Sequence, residues 1–376
     1  MAADHVRVLM VSPSARPGGA EEVFAGLLDH AAHHGLDARP LVLERGPFVR
    51  RLEEEGHRPV VIEAGRLRHV ASWRAAARRI ATELASFGAH IAYANMAKAH
   101  LYCAGPARVR NVPAIWCQAN VPSPPSAIDR LASMLPAPRV IAPSEAAAAA
   151  QRRLWRTPPV DVVHPGIDVA RLQVGRVGEL RARHRVPAQA PLIGIVGRLQ
   201  PWKGQDRFLR AARIVADRVP DARFAVVGGA VLGWEGDYPE RLHRLAAELG
   251  LADRVIFTGH VDGAAEWTAA LDVSVNASDP EPFGLVIVEA MALGKPVVAV
   301  DGGGPREILR HERTGLLCPT GEHEALAAAM VRLAVGAELR ARIGAAARAD
   351  VELRFTAERM TARFAEVVRD CLRLAA

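Results

Sequence analysis

Lysine is nearly absent: the 376-residue chain has only Lys98, Lys203 and Lys295, although Lys and Arg together number 48. Arginine therefore carries almost all the positive charge. A Lys kept inside a Gly/Pro-rich loop, as at Lys203 and Lys295, points to a need for a compact ammonium there. Aromatic residues make up 5% of the chain, too few for a basic face interleaved with stacking rings, so nucleic acid is not an expected partner. The four cysteines, Cys103, Cys117, Cys318 and Cys371, stand far apart and form no Cys-x-x-Cys pair. That excludes a disulfide framework or a cysteine metal site and leaves buried apolar thiols. No Asp-x-Asp triplet occurs, and no bound metal is expected. No apolar run approaches the roughly 20 residues that span a bilayer. Val6–Val11 is a strand-length run behind Asp4 and His5 rather than a secretory leader, which places the chain in the cytoplasm. The first strand is not followed by Gly-x-Gly-x-x-Gly, and Leu43-Glu44-Arg45 is a poor acidic end to the second, so the dinucleotide fingerprint is missing.

What remains is an alternation of short apolar runs with amphipathic stretches, in a chain too long for one ordinary core. Strands are expected at Val6–Val11, Arg39–Leu43, Pro59–Ile62, His90–Ala94, Pro113–Cys117, Arg139–Ala142 and Val160–His164. A second series follows at Leu192–Val196, Arg223–Val227, Arg254–Thr258, Val273–Asn276, Val297–Val300 and Gly315–Cys318. Helices fall between them, for example Ala20–His34, Ser72–Phe87, Gln205–Arg218 and Glu322–Val335. Continuous β-branched runs flanked by helical periodicity argue for parallel strands covered on both faces. The fold class is α/β, with two tandem doubly wound parallel-sheet domains. The first is expected over 1–169 and the second over 190–354, joined by a polar, Arg-rich linker at 170–189. A single amphipathic helical stretch closes the chain from Phe355 to Leu374, with no strand after it. Ligands of open parallel sheets bind beyond the carboxyl ends of strands, so two such domains suggest a site in the cleft between them.

The loops that follow strands carry the chemistry. After the first strand, Gly18-Gly19 precedes a helix and lets backbone N–H groups approach a ligand. After the first strand of the second domain comes Gly197-Arg198-Leu199-Gln200-Pro201-Trp202-Lys203-Gly204. There Arg198 and Lys203 can converge on one anion such as a diphosphate. The richest stretch is Glu281-Pro282-Phe283-Gly284-Leu285-Val286-Ile287-Val288-Glu289. Pro282 holds Glu281 extended, which would turn its carboxylate out toward the cleft, while Gly284 and Leu285 offer N–H groups at a helix start. Glu289 is one turn on, where a carboxylate also suits the helix dipole. Gly302-Gly303-Gly304-Pro305 is a further close-approach turn at the same edge. The net charge of +7 fits an anionic small molecule, and equally an acidic surface. A basic helical face, Arg66, Arg68, His69, Trp73, Arg74, Arg78 and Arg79, is a candidate for weak peripheral membrane contact, with plain solvation as the other reading. The oligomeric state cannot be read from these features.

Taken together, Gly197–Gly204, Glu281–Glu289 and Gly302–Glu307 resemble the retaining nucleotide-sugar glycosyltransferases of the GT-B fold, family GT4 (glycosyl transferases group 1). Phe257-Thr258-Gly259-His260-Val261, His164-Pro165-Gly166-Ile167-Asp168 and Pro17-Gly18-Gly19-Ala20-Glu21 match the same pattern. The resemblance implies a nucleoside-diphosphate sugar, UDP- or GDP-linked, as co-substrate, a hydroxyl acceptor, and no other cofactor. Arg198 and Lys203 would hold the diphosphate, Glu281 the sugar hydroxyls and Glu289 the ribose. Gly18, Gly19, Gly197, His260, Val261, Phe283, Gly284 and Leu285 would line the donor. The resemblance also returns the C-terminal helix, 355–376, to the first domain. Where relatives often carry His after the strand at Pro113–Cys117, this chain has Gln118 and Asn120, which can hydrogen-bond but not titrate. They are the acceptor-side candidates. The rival readings are another GT-B enzyme, a phosphorylase or a nucleotide-sugar epimerase, or a non-catalytic GT-B partner.

Overall fold

The computed structural model describes residues 5–375 apart from 66, 123, 173, 176 and 231–235. It divides into two compact units: one runs up to Ile167 and resumes at Ala357, the other runs from Asp168 to Thr356. In the first, β1 (Val6–Ser12), β2 (Leu36–Val42), β3 (Val60–Val61), β4 (Ile91–Asn95), β5 (Ala114–Cys117), β6 (Val140–Ala142) and β7 (Val160–Val162) pair in the order β3-β2-β1-β4-β5-β6-β7. In the second, β8 (Leu192–Val196), β9 (Arg223–Val227), β10 (Val255–Phe257), β11 (Val273–Asn276), β12 (Val297–Val300) and β13 (Leu316–Cys318) pair in the order β10-β9-β8-β11-β12-β13. Every pairing is parallel. Each strand expected from the sequence is present, with ends shifted by a few residues.

Alternation along β1 explains why the first sheet is covered on both sides. Val8 and Met10 join one core with Phe24, Tyr93 and Phe364, whereas Leu9 and Val11 join another with Ile80, Tyr102 and Trp116. Helices Val70–Phe87 and Met96–Val109 supply the second face. Helix Gly19–Ala31 and the C-terminal helix Ala357–Ala375 supply the first. Phe364 meets Tyr93 edge-on with centroids 5.0 Å apart, and the Gly166 N–H reaches Met360 Sδ at 3.3 Å. The second sheet repeats the scheme. Ile193, Ile195, Val273 and Val275 pack with helices Gln205–Arg218 and His323–Val335, and Leu192, Ala225 and Val227 pack on the other side with Trp267.

The stretch 170–189, expected as the connection between the domains, is packed within the second unit. It contains helix Val177–Arg183, and Leu180 and Val186 are buried against Trp267 and Leu271. Arg181 fastens it, donating to Ala270 O at 3.1 Å, Asp272 Oδ2 at 3.0 Å and Ala190 O. The same Asp272 oxygen accepts from Leu192 N at 2.8 Å. Two apolar residues and one arginine suffice to dock a segment whose composition reads as polar chain.

In both sheets the strand order reverses, between β1 and β4 and between β8 and β11. At such a reversal the loops leaving neighbouring strands diverge and open a crevice at the carboxyl edge. Behind this edge in the first unit lies a buried histidine. His100 is 0% exposed and stacks on Trp116 with ring centroids 5.6 Å apart. Trp116 Nε1 finds no hydrogen-bond partner among the described residues, and the His100 ring has at most a weak polar contact with the Leu135 backbone. Burial lowers its pKa to about 4. The unfolded chain binds this proton below about pH 6.5 while the folded chain does not, so stability falls as pH drops through that window. Between pH 7 and 5 this single group should remove about 2 kcal/mol. In His100→Phe, urea unfolding at the two pH values should show a difference smaller by about that amount. An unchanged difference would refute the assignment.

Candidate functional site

The loops that leave β8 and β11 meet at the reversal of the second sheet. After β8 the chain passes Gly197 and Arg198, makes a single turn at Pro201–Lys203, and enters helix Gln205–Arg218. Gly204 links the two at φ +72°, and a Cβ there would lie 2.2 Å from Ala277 O. Glycine at this point lets the loop after β8 press against the loop after β11, because no side chain can occupy the gap. The two loops are also hydrogen-bonded, with Asp279 N donating to Trp202 O at 2.9 Å.

Glu281 is the residue this arrangement encloses. Its backbone is held between glycines, its N–H donating to Gly302 O at 2.8 Å and its carbonyl accepting from Gly304 N at 2.9 Å. The position of Gly304 against Phe283, where a Cβ would lie 2.3 Å from the Phe283 backbone, explains why the third loop is glycine-rich. The Glu281 side chain does not turn outward as its extended backbone suggested: the residue is only 4% exposed. Lys203 Nζ donates to its Oε2 at 2.8 Å, and Asn276 Nδ2 donates to the same oxygen at 3.3 Å. A buried carboxylate needs such partners to offset its lost hydration. Lys203 also lies 4.1 Å above the centre of the Trp202 ring, a second reason for its ammonium to stay in place.

Around this pair the other expected residues fall into distinct groups. Arg198 is exposed, and its guanidinium makes no hydrogen bond or ion pair among the described residues. Its carbonyl accepts from Gln205 Nε2 at 2.8 Å, which ties the loop to the helix start. Gln205 in turn accepts from the Tyr238 hydroxyl at 3.3 Å, as does Asp206 at 3.2 Å. Burial and the nearby Asp206 charge push the Tyr238 pKa up, so it remains a donor. Phe283 is buried and meets Phe355 edge-on at 5.8 Å. Its ring is therefore anchored in the interior, and only its backbone remains at the loop. Gly284 and Leu285 open helix Leu285–Ala292, and their N–H groups make no hydrogen bond among the described residues. Glu289 is half-buried one turn further along the same helix. His260 is exposed, 3.7 Å from Asp262, while Val261 packs on the core beside Trp267. Gly197 continues β8 with φ +150°.

In the first unit, Gly18 caps helix Gly19–Ala31 in an extended conformation, and Gly19 is exposed with open space around it. Gln118 departs from expectation. It is 1% exposed, and its amide donates to Asp129 Oδ1 at 3.0 Å and Gln151 Oε1 at 3.1 Å. Ser126 and Asp129 form a reciprocal cap on helix Ala127–Met134. Gln118 thus anchors that helix from inside and does not present its amide to a ligand; Asn120, two residues on, is exposed. Of the basic helical face, Trp73 turns inward to donate to Leu101 O at 3.3 Å and Arg79 donates to Val61 O at 3.3 Å. Arg74 and Arg78 are exposed, and Arg66 lies outside the described residues. No helix among the described residues is long and apolar enough to cross a membrane.

The sequence reading passed over Asn276 and treated Lys203 only as a partner of Arg198. A polar residue ending the apolar run Val273–Asn276 was the available signal, since a strand that continues into a crevice has no apolar need for an amide there.

The model of the glycosyl transferases group 1 matches residues 177–350, and that of Glycosyltransferase Family 4 matches residues 17–171. A D-inositol 3-phosphate glycosyltransferase of Streptomyces scabiei is 40% identical over 200 residues, 51% of this chain and 45% of that protein. Another of the same name, from Streptomyces bingchenggensis, is 36% identical over 246 residues, 63% of this chain and 54% of that protein. The chain thus aligns with about half the length of the curated relatives it matches. Over whole chains, the crystal structure of Anabaena HepE in complex with UDP-glucose superposes with a TM-score of 0.86 and 28% identity, covering 97% of this chain and 100% of that one. Sucrose-phosphate synthase from Thermosynechococcus elongatus shares the fold at 22% identity and a TM-score of 0.80, covering 98% of this chain and all of that one. The two parallel-sheet units are those of the GT-B fold.

The ion pair gives a direct test of how the site is held. Lys203→Ala leaves the Glu281 carboxylate buried with only Asn276, and should cost about 2 kcal/mol of folding stability. Adding Glu281→Gln removes the stranded charge, so the double variant should recover at least about 1 kcal/mol relative to additivity. Denaturant unfolding of the four proteins reads this directly; additive losses would mean that the pair does not interact.

Proposed function

The chain belongs to the glycosyl transferases group 1 of the GT-B fold, with a Family 4 unit preceding the group 1 unit; on that footing we propose that it moves a sugar from a nucleoside-diphosphate sugar to an acceptor hydroxyl. One observation carries this reading above the others: the Lys203–Glu281 pair, at 2.8 Å, sits beside the unoccupied N–H groups of Gly284 and Leu285 at the sheet reversal. A cation, a carboxylate and a helix start together suit a ligand with a diphosphate at one end and hydroxyls at the other.

The chemistry asked of these residues is modest. The bond between the anomeric carbon and the diphosphate oxygen breaks, and the acceptor oxygen forms the new bond on the same face, so the anomeric configuration is retained. The acceptor proton passes to the departing phosphate oxygen. The sugar acquires oxocarbenium character along the way, as in glycoside hydrolysis. Charge grows on the diphosphate, and Lys203 and Arg198 are assigned to stabilise it together with the helix N–H groups. Lys203 then shares its ammonium between Glu281 and the leaving group, while the other Glu281 oxygen serves the sugar hydroxyls. Glu289 is assigned to the ribose. With two cations and no Asp-x-Asp triplet, we read the transfer as metal-independent. Uracil is the favoured base of the donor, since UDP-glucose is the ligand of the Anabaena neighbour.

The test is a thermal-shift series with UDP-glucose, GDP-glucose and UDP in EDTA, followed by UDP release from UDP-glucose. The wild type should be stabilised most by one nucleotide sugar and should turn it over with EDTA present. Lys203→Ala should lower kcat/KM by roughly 10²–10³-fold. Full activity in that variant, or a wild type silent until a divalent metal is added, would overturn the reading.

A further inference from the structure

Three histidines of the first unit stand together. His30, His33 and His34 lie at the end of helix Gly19–Ala31 and in the single turn Ala32–His34 that follows it. Residues three and four apart share one helix face. That face meets the start of the C-terminal helix Ala357–Ala375, which brings Glu358 to His30 from 328 positions away. No spacing motif marks the group, because the fold assembles it. The group sits at the amino edge of the sheet: Gly35, next in the chain, accepts from Val6 N at 3.0 Å where β1 begins. The Gly18-Gly19 turn leaves the opposite, carboxyl edge.

Glu358 is a carboxylate among imidazoles. His30 Nδ1 is 3.3 Å from its Oε2, and His34 Nε2 is 3.0 Å from its Oε1. It pairs with no Lys or Arg among the described residues, in a chain with 48 of them. The His34 contact is too poorly aligned for a hydrogen bond, which leaves a nitrogen shielded from solvent without a bonded partner among the described residues. His30, His33 and Glu358 each place a ligand atom within 4.8 Å of the other two. In a tetrahedral zinc site, with bonds of about 2.0–2.1 Å, ligand atoms stand ~3.3 Å apart. The His30–Glu358 edge already has that length. His33 is exposed, makes no hydrogen bond or ion pair among the described residues, and meets the His30 ring edge-on at 6.0 Å. It is free to swing inward and close the remaining edges. His34 can then hold the second carboxylate oxygen, as an outer partner of a ligating carboxylate does.

We propose that His30, His33 and Glu358 bind a divalent cation of the zinc kind, with His34 bracing the carboxylate and water completing the coordination. Two imidazoles and one carboxylate favour Zn²⁺ over Mg²⁺ and Ca²⁺, which take oxygen ligands. The ion joins the helix after β1 to the C-terminal helix, at a corner where Arg369 already donates to His34 O. Its role is structural, since it lies at the sheet edge away from the loops that follow the strands. The site does not depend on the transfer proposed above and leaves that transfer metal-independent.

The test uses the full chain, freed of metal with EDTA and buffer exchange, and needs no turnover. It is titrated with Zn²⁺ by calorimetry and with Co²⁺ by visible absorption. One equivalent of Zn²⁺ should bind and raise the unfolding temperature, and Co²⁺ should develop the visible bands of a four- or five-coordinate site. His33→Ala and Glu358→Gln, both at exposed positions, should unfold near the wild-type temperature without metal. Each should weaken Zn²⁺ binding at least about tenfold and lose the Co²⁺ bands, and His34→Phe should weaken Zn²⁺ roughly 10–100-fold. His323→Ala, at a surface His–Glu pair of the second unit, should bind Zn²⁺ as the wild type does. Failure to form a one-to-one Zn²⁺ complex, an affinity unchanged in His33→Ala or Glu358→Gln, or an equal loss in His323→Ala would overturn the site.

Discussion

A carboxylate with only 4% of its residue exposed cannot be left without partners, and Glu281 meets that constraint through Lys203 and Asn276. The loop after β8 and the loop after β11 are each shaped to make this possible. Gly204 removes the side chain that would keep them apart. The Asp279–Trp202 backbone bond locks their spacing, and Gly302 and Gly304 grip the Glu281 main chain from the other side. An ion pair of this kind is weak evidence for net stability, because desolvation offsets much of the attraction. Its value lies in fixing where two opposite charges stand.

Parallel-sheet topology supplies the convergence that sequence separation hides. Lys203 and Glu281 are 78 positions apart yet adjacent in space, because β8 and β11 are neighbours at the point where the strand order turns. Loops leaving at that point diverge to opposite faces and open a crevice. Arg198 and the Gly284–Leu285 N–H groups lie on the segments that bound it. The same logic applies in the first unit, where β1 and β4 are the reversal pair and the Gly18-Gly19 turn follows β1.

Much of this was legible in the residues. Strands announced themselves as β-branched runs such as Leu192–Val196 and Val297–Val300, and glycines clustered where loops approach one another. Small-residue helices were harder to read. Helix Met96–Val109 has Pro106 inside it, and helix Ala337–Arg354 buries Ile343, Gly344, Ala347, Asp350 and Val351, so neither shows a strong apolar stripe. The docking of the 170–189 segment was not legible because it depends on Leu180, Val186 and Arg181, which composition does not distinguish from solvated chain. At the site, residue types singled out Arg198, Lys203 and Glu281 but did not show that Lys203 and Glu281 pair. Side-chain direction depends on the loop contacts, and Glu281 turns inward because Lys203 and Asn276 wait there. Gln118 shows the same limit: its type offered a ligand contact, and its neighbours Asp129 and Gln151 took both amide hydrogens.

The central claim is that Lys203 and Glu281 stand ready to receive the two ends of one activated sugar. A crystal of the full chain soaked with UDP-glucose examines it most directly. The account expects the diphosphate within about 3 Å of Lys203 Nζ, with the sugar hydroxyls on Glu281 and the nucleoside toward Glu289. Density for the nucleotide sugar elsewhere, with the Lys203–Glu281 pair untouched, would contradict it.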